Sequence, residues 1–368
     1  MSVAAAPAGT LPIDRITVSA YRIPTRTPES DGTARWSATT LALVELEAGG
    51  VVGTGWTYAS AAAALFVHER LAEVVRGADA LGVRALWRTL IDAVRNDDRP
   101  GLASYAIAAV DVALWDLCAR LHGVPLCDLL GRARENVPVY GSGGFTSEDE
   151  RSLCDQLAGW ARDGFRAVKM KVGRDPQADP ARVAAARRAI GPACALFVDA
   201  NGAYDVPQAL AMAERFAAHD VTWFEQPVDP ANHAGLRRVR ERAPAGMAIS
   251  SGEYLTDSSD AARVAPNVDV LQADATRCAG YTGLAAIDGY CEVVRAPLST
   301  HCAPALHLHV AAALLRLRHV EWFADHVRIE RELFDGFVEP VGGVLRPDRS
   351  RPGHGLTFKR ADAQRYAV

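Results

Sequence analysis

Hydrophobic positions change rhythm twice along this chain. In the first stretch they come in short runs rich in β-branched residues, at 16–23, 39–47 and 51–58. Ala48-Gly49-Gly50 separates the last two runs, and such permissive residues suit a tight hairpin. Between the first two lies 24–36, polar and rich in Pro and Gly, which reads as a long exposed loop. From residue 61 to about 130 the period lengthens to that of helices, until Gly123-Val124-Pro125 stops it. Strands followed by helices, without alternation, make an α+β unit.

The second change falls near Val137. Short β-branched runs at 137–140, 167–171, 195–199, 221–225, 247–251, 268–272 and 296–299 are each trailed by amphipathic sequence. One helix is predicted to open at Thr146 or Ser147 with Glu150 as capping partner. Another is predicted to be capped by Asp179-Pro180 and closed by Gly191-Pro192. Repeated units of this length predict a parallel sheet wrapped by helices, and eight of them close into a (β/α)8 barrel. Seven or eight can be counted up to about Asp325, so a barrel modified at one unit is expected. The fold class is α/β, with an α+β domain at 1–135, the barrel at 136–328 and a tail at 329–368.

Composition narrows the picture. At 49% apolar and 23% charged residues the chain is neither collagen-like nor disordered, and a net charge of −4 offers no basic excess for nucleic acid. No apolar run approaches the roughly 20 residues that span a bilayer; residues 102–118 are interrupted by Asp111 and Asp116. Residues 1–14 carry no basic stretch ahead of an apolar block, so no signal peptide is expected, and their alanines read as a floppy lead-in. Seven scattered cysteines without a CxxC pair read as reduced thiols of a cytoplasmic protein.

The chemistry lies at the strand ends. Lys169 and Lys171, then Asp199, Glu225, Glu253, Asp274, His301 and Glu321 follow one another at about one strand-plus-helix interval. A barrel brings such ends together on one face. A single Asp after a strand is as readily a helix cap, but that alternative does not ask every strand to end alike. Asp199, Glu225 and Glu253 would repel strongly unless a cation neutralised them, and three hard carboxylates select Mg²⁺ over Zn²⁺. Lys169 and Lys171 share one face of their strand and should depress each other's pKa, leaving a neutral lysine base near pH 7. Asp274 and His301 can pair, the carboxylate orienting the imidazole.

In this order, Lys-x-Lys, Asp-x-Asn, Glu-Gln-Pro, Gly-Glu, Asp, His and Glu, the chain resembles the enolase superfamily, specifically its mandelate racemase subgroup. The segment 108–116, with Gly123-Val124-Pro125 and Leu129-Leu130-Gly131, is similar to that family's capping-domain helix. The resemblance covers about 16–356. It implies a capping domain completed by the C-terminal tail and one Mg²⁺ per active site on Asp199, Glu225 and Glu253. It also implies abstraction of the proton α to a carboxylate. Lys169 would face a substrate carboxylate oxygen, and Glu321, if protonated, would donate to the other. One departure is Arg277, where some relatives carry Lys; its permanent charge suits a supporting place beside the site.

Asn201 and Arg277 are candidates for binding substrate, as are Trp56 and Tyr58 on the hairpin, Arg22 just before the loop, and Arg26, Glu29, Asp31 and Trp36 on it. Loops of this kind set specificity in the family, so at least one contact with substrate is expected from them. His307 and His309 read as packing residues. The expected reaction is dehydration of an aldonate or aldarate to a 2-keto-3-deoxy acid. A racemase or epimerase of a 2-hydroxy acid is the alternative, and a non-catalytic sugar-acid binder is the remaining class. The expected partners are a small-molecule carboxylate and further copies of the chain, with neither nucleic acid nor membrane.

Overall fold

The computed structural model describes residues 9–368, and the start of the alanine-rich lead-in, 1–8, lies outside the described residues. The rest of that lead-in is held in place: Ile13 is buried and its N–H donates to Ala78 O at 2.8 Å.

Strands β1 (Arg15–Ser30), β2 (Arg35–Ala48) and β3 (Val51–Tyr58) form an antiparallel sheet in that order. At the β2–β3 turn, Gly49 and Gly50 have φ of 56° and 77°, the left-handed values a tight hairpin turn demands. The expected loop at 24–36 is instead a continuation of β1 and β2 into a ribbon, whose register slips between Pro24 and Glu29. Prolines 24 and 28 are what give this segment its loop-like sequence. They are tolerated because β1 is an edge strand and the slip absorbs the lost pairing.

The helix Ser104–Leu121 packs on β2 and β3 at very short range. A Cβ at Gly53 would lie 2.4 Å from Ala113 O, and one at Gly55 would lie 2.3 Å from Ala109 O. Among the described residues the stretch Arg99–Leu121 is long and apolar enough to cross a membrane, but its most apolar part is largely buried in the protein. Its two aspartates are tied rather than exposed. Asp111 accepts from Thr282 N at 2.9 Å and Thr282 Oγ1 at 2.7 Å; Asp116 accepts from Thr54 N at 2.9 Å and His354 N at 2.8 Å.

Eight parallel strands then close on themselves: β4 (Val137–Gly143), β5 (Ala167–Lys171), β6 (Ala195–Asp199), β7 (Val221–Glu225), β8 (Ala248–Ser251), β9 (Val270–Ala273), β10 (Leu298–Thr300) and β11 (Leu317–Phe323). Pairing of β11 with β4 completes the barrel, so no unit is missing. The seven runs read from the sequence end at 296–299; the eighth strand is β11, whose apolar residues are interrupted by Arg318, His319 and Glu321. Two cap readings also shift. The helix expected from Thr146 or Ser147 starts at Glu150, with Asp149 accepting from Ser152 N at 2.7 Å. Asp179 caps nothing; its carboxylate accepts from Gly173 N and Tyr204 Oη, both at 2.7 Å.

After the helix Ala324–Leu333 the chain returns to the N-terminal sheet. Gly353 O accepts from Leu126 N at 2.7 Å, and Val368 N donates to Ala20 O at 3.1 Å. Trp56 is stacked on Phe334 with centroids 4.3 Å apart, and Tyr58 lies on His326 at 3.5 Å. The Tyr58 hydroxyl donates to Glu330 Oε1 at 3.3 Å, and Ala305 N donates to Glu330 Oε2 at 2.9 Å.

Two outcomes follow from this packing. Gly55→Ala is expected to destabilise the fold by about 2–3 kcal/mol, because backbone of the helix has nowhere to move. Gly159→Ala, in a helix with open space around it, should leave stability unchanged or raise it. Equal melting temperatures for the two variants would refute the close-contact account. Burial pushes the Glu330 carboxyl from 4.5 up to about 8. The folded state therefore holds a proton that the unfolded chain has lost, so this group's stability is complete below about pH 4.5 and drains away as pH rises towards 8. Denaturant titrations at pH 5 and pH 8 should show a larger loss of stability in the wild type than in Glu330→Gln.

Candidate active site

Period-two alternation on β5 turns Val168 and Met170 into the apolar layer under the helices and points Lys169 and Lys171 inward. Asp199 and Glu225 end β6 and β7; Glu253 follows β8 after Gly252. Gly252 has φ 134°, and a Cβ there would meet Gln272 O at 2.2 Å, so only glycine lets the chain turn Glu253 into the barrel. Asp274 follows β9, His301 follows β10 and Glu321 sits on β11. All eight side chains are buried at one end of the barrel.

Carboxylate oxygens of Asp199, Glu225 and Glu253 lie within 4.8 Å of one another. Burial and the neighbouring Asp199 charge push the Glu225 carboxyl well above its ordinary range, and Glu253 Oε2 is buried without a hydrogen-bond partner. Such a group of oxygens is stressed alone and relieved by a cation; a set of carboxylates without sulfur or imidazole fits Mg²⁺. Two residues absent from the sequence reading orient the central ligand: Trp223 Nε1 and Gln272 Nε2 donate to Glu225 Oε2 at 3.0 and 2.8 Å. Trp223 shares the inward face of its strand with Glu225, a signal that alternation does carry.

The lysines depart from expectation. Lys171 Nζ is 2.5 Å from Asp199 Oδ2, while Lys169 Nζ is 2.6 Å from Glu225 Oε1 and 2.8 Å from Glu321 Oε1. Burial lowers both ammonium pKa values, but the surrounding carboxylates together outweigh it and the net shift of each is upward. Mutual repulsion of the pair is the weaker effect. Glu321 is also not a neutral donor. Burial raises its pKa, yet Lys169 and His301 draw it well below the carboxylate range. It accepts instead, from Ser142 Oγ at 2.6 Å and Cys302 N at 2.7 Å.

His301 Nδ1 is 2.8 Å from Asp274 Oδ2. Burial opposes ionisation of Asp274, but hydrogen bonding and charge from His301 prevail and hold its pKa well below normal. An ionised carboxylate only accepts, so Nδ1 carries the proton and Nε2 is the working nitrogen. Nε2 lies 3.4 Å from Glu253 Oε2 and 3.2 Å from Cys302 Sγ, a thiol that the sequence reading passed over. Arg277 Nη1 donates to Glu253 Oε1 at 3.2 Å, and its guanidinium lies 4.9 Å from the Tyr254 ring centre. Asn201, at φ 47°, donates its backbone N–H to Asp199 Oδ1 at 2.9 Å and leaves its buried side-chain Oδ1 unpartnered.

Trp56 and Arg22 are not brought to this cluster. Trp56 is buried against Phe334 and His354, and Arg22 is exposed beside the C-terminal residues 365–368. Tyr58 faces His326 and Glu330. His307 and His309 pack as expected: His307 Nε2 accepts from Ala275 N at 2.9 Å and His309 Nδ1 from Cys127 N at 3.3 Å.

Known proteins match this chain over most of its length. The family model described as "Enolase C-terminal domain-like" matches residues 152–363, and that of the "Mandelate racemase / muconate lactonizing enzyme, N-terminal domain" matches 15–131. The chain is 33% identical over 366 residues to 3,6-anhydro-alpha-L-galactonate cycloisomerase of Streptomyces coelicolor, covering 97% of this chain and 99% of the relative. A mandelate racemase/muconate lactonizing enzyme-like protein from Rubrobacter xylanophilus superposes with a TM-score of 0.96 at 51% identity, covering 97% and 100% of the two chains. L-talarate dehydratase from Polaromonas sp., in complex with Mg and L-glucarate, superposes at 0.87 with 30% identity and 98% of both chains.

Saturating Mg²⁺ should therefore raise the melting temperature of EDTA-treated protein; at 100 times Kd it adds about 2.7 kcal/mol. Glu225→Gln should bind Mg²⁺ at least tenfold more weakly by calorimetry while folding normally in EDTA. An unchanged Mg²⁺ affinity in that variant would remove Glu225 from the site.

Proposed function

The chain belongs to the mandelate racemase/muconate lactonizing enzyme family of the enolase superfamily, and within it we propose an enzyme that abstracts the α-proton of a sugar acid and then cleaves the β C–O bond. The observation that carries this reading is the pair of proton carriers flanking the carboxylate triad. Lys171 reaches Asp199 on one side, and His301 Nε2 reaches Glu253 on the other. Mg²⁺, when held by Asp199, Glu225 and Glu253, supplies the positive charge against which a carboxylate's weakly acidic α-C–H can ionise, and it takes up carboxylate charge that otherwise keeps the lysines protonated.

The chain's own residues then divide the work. Lys169, fixed by Glu321, holds one oxygen of the substrate carboxylate, and Asn201 and Arg277 border the place where the rest of the molecule lies. Lys171, once neutral, takes the α-proton. His301, oriented by Asp274, gives the Nε2 proton to the departing oxygen. The C–H electron pair becomes a C=C bond as the β C–O bond breaks, and the enol product ketonises to a 2-keto-3-deoxy acid. If the departing oxygen is a hydroxyl, the enzyme is a dehydratase, the reading favoured here.

A second reading has a specific observation behind it, the near full-length similarity to a 3,6-anhydro-galactonate cycloisomerase. In a 3,6-anhydro sugar acid the ring oxygen is on C3, β to the carboxylate. The same two proton transfers would then open the ring without losing water. Both outcomes need the same residues and differ only in what the oxygen is attached to.

Screening acid sugars and their anhydro forms in D₂O tests both. A keto acid carrying deuterium at C3 is expected, lighter than substrate by one water for dehydration and isomeric with it for ring opening. His301→Asn should lower kcat by roughly 10²–10⁴-fold with Mg²⁺ affinity preserved. Exchange at C2 with an epimeric product and no keto acid would overturn the proposal in favour of a racemase.

A further inference from the structure

One wall of the site is apolar. Cys302, whose thiol lies 3.2 Å from His301 Nε2, packs with Phe145 and Phe323, and Trp36 of the β1–β2 ribbon closes the group. The rings meet edge to face: Trp36 to Phe145 at 5.6 Å and 87°, Phe145 to Phe323 at 5.7 Å and 85°. Phe323 is two residues beyond Glu321 on β11, so the wall shares a strand face with the catalytic cluster. The ribbon tip is pinned over it. Thr146 N donates to Ser30 O at 2.8 Å, Arg174 Nε donates to Asp31 O at 3.1 Å, and a Cβ at Gly32 would lie 2.3 Å from Ala200 O.

The ionisable groups behind this wall are carboxyls. Glu29 Oε2 accepts from Trp36 Nε1 at 2.9 Å. Burial first, then the charge of Asp325, push its carboxyl up to about 8; Glu148, nearby, is pushed by burial to about 7 and has a buried, unpartnered Oε2. The arginines on this side are committed elsewhere. Arg182 donates to Lys171 O and Phe145 O, Arg174 to Asp31 O and Ala34 O, and Arg328 to Asp325. Arg277 is paired with Glu253 and Asp274, and Arg26 and Arg35 are exposed.

We infer that the end of the substrate remote from its reacting carboxylate is uncharged and lays C–H surface on Trp36, Phe145 and Phe323: an aldonate, or an anhydro- or deoxy-aldonate, rather than an aldarate. The inference rests on the reaction class proposed above and narrows its substrate. A second carboxylate here would be stripped of water against aromatic rings, and the partly buried arginines described on this side are already paired, whereas a sugar's C–H face suits aromatic edges and faces.

Calorimetry with the Mg²⁺-loaded enzyme decides it, using matched pairs: D-gluconate against D-glucarate, D-galactonate against galactarate, and the simpler 3-phenyllactate against malate. The best mono-acid is expected to bind roughly 100-fold or more tightly than its di-acid, the range set by an unpaired buried polar group. Trp36→Arg, which installs a cation, should narrow that ratio at least tenfold by improving the di-acid. If that variant does not fold, Glu29→Gln should narrow it severalfold at pH 9, where Glu29 of the wild type is ionised. Di-acids binding as tightly as mono-acids in every pair would overturn the inference, and binding of neither class would count against it and the reaction class together. Mono-acid binding without turnover of any acid would sink the reaction class alone.

Discussion

Three carboxylates that cannot share a desolvated spot without a cation set the terms for everything around them. Asp199, Glu225 and Glu253 arrive from consecutive strand ends, and the closed barrel leaves them no direction in which to separate. Their repulsion is met from both sides, by Lys169 and Lys171 on β5 and by Arg277 and His301 beyond β9 and β10. The same charge balance governs protonation. Lysines that would disfavour each other in isolation are held charged, and a glutamate that might have been a neutral donor is ionised by its lysine.

A second constraint is the seam between the N-terminal unit and the barrel. The helix Ser104–Leu121 is pressed against two glycines of β3 and anchored through Asp111 to the barrel helix that follows β9. Ser104 Oγ donates to Arg277 O at 2.7 Å and Thr57 Oγ1 donates to Thr276 O at 2.8 Å. The N-terminal unit thus grips the segment that carries Arg277 and, through Arg277, touches Glu253. Its ribbon reaches over the opposite flank and supplies Trp36. The carboxylate triad and the aromatic group of Trp36, Phe145 and Phe323 thus lie on two sides of one end of the barrel.

Relatives of this chain include both dehydratases and a cycloisomerase. The proposed steps touch a carboxylate, its α-carbon and one β-oxygen, and those atoms are alike in both reactions. On the proposal made above, what that oxygen is attached to, and whether the tail is charged, falls to the ribbon and its aromatic group.

The amino-acid order alone determined the barrel, the approximate place of each strand and the ionisable residue at nearly every strand end, because alternation and strand–helix spacing are local properties that tertiary packing preserves. It also determined the donor set for Mg²⁺, since ligand hardness follows from residue type. Other features were decided only by folding. Residues 24–36 became a pinned ribbon because an edge strand tolerates proline, a fact about neighbours and not about the segment. Trp56 was drawn into the core by Phe334, which lies far along the chain, while Trp36 was brought to the site. Gln272 became part of the active centre through a contact across strands, from β9 to Glu225 on β7. The direction in which the Lys171 and Glu321 pKa values move came last of all, because a buried group's pKa is a sum over every charge packed around it, and only the tertiary structure says which charges those are.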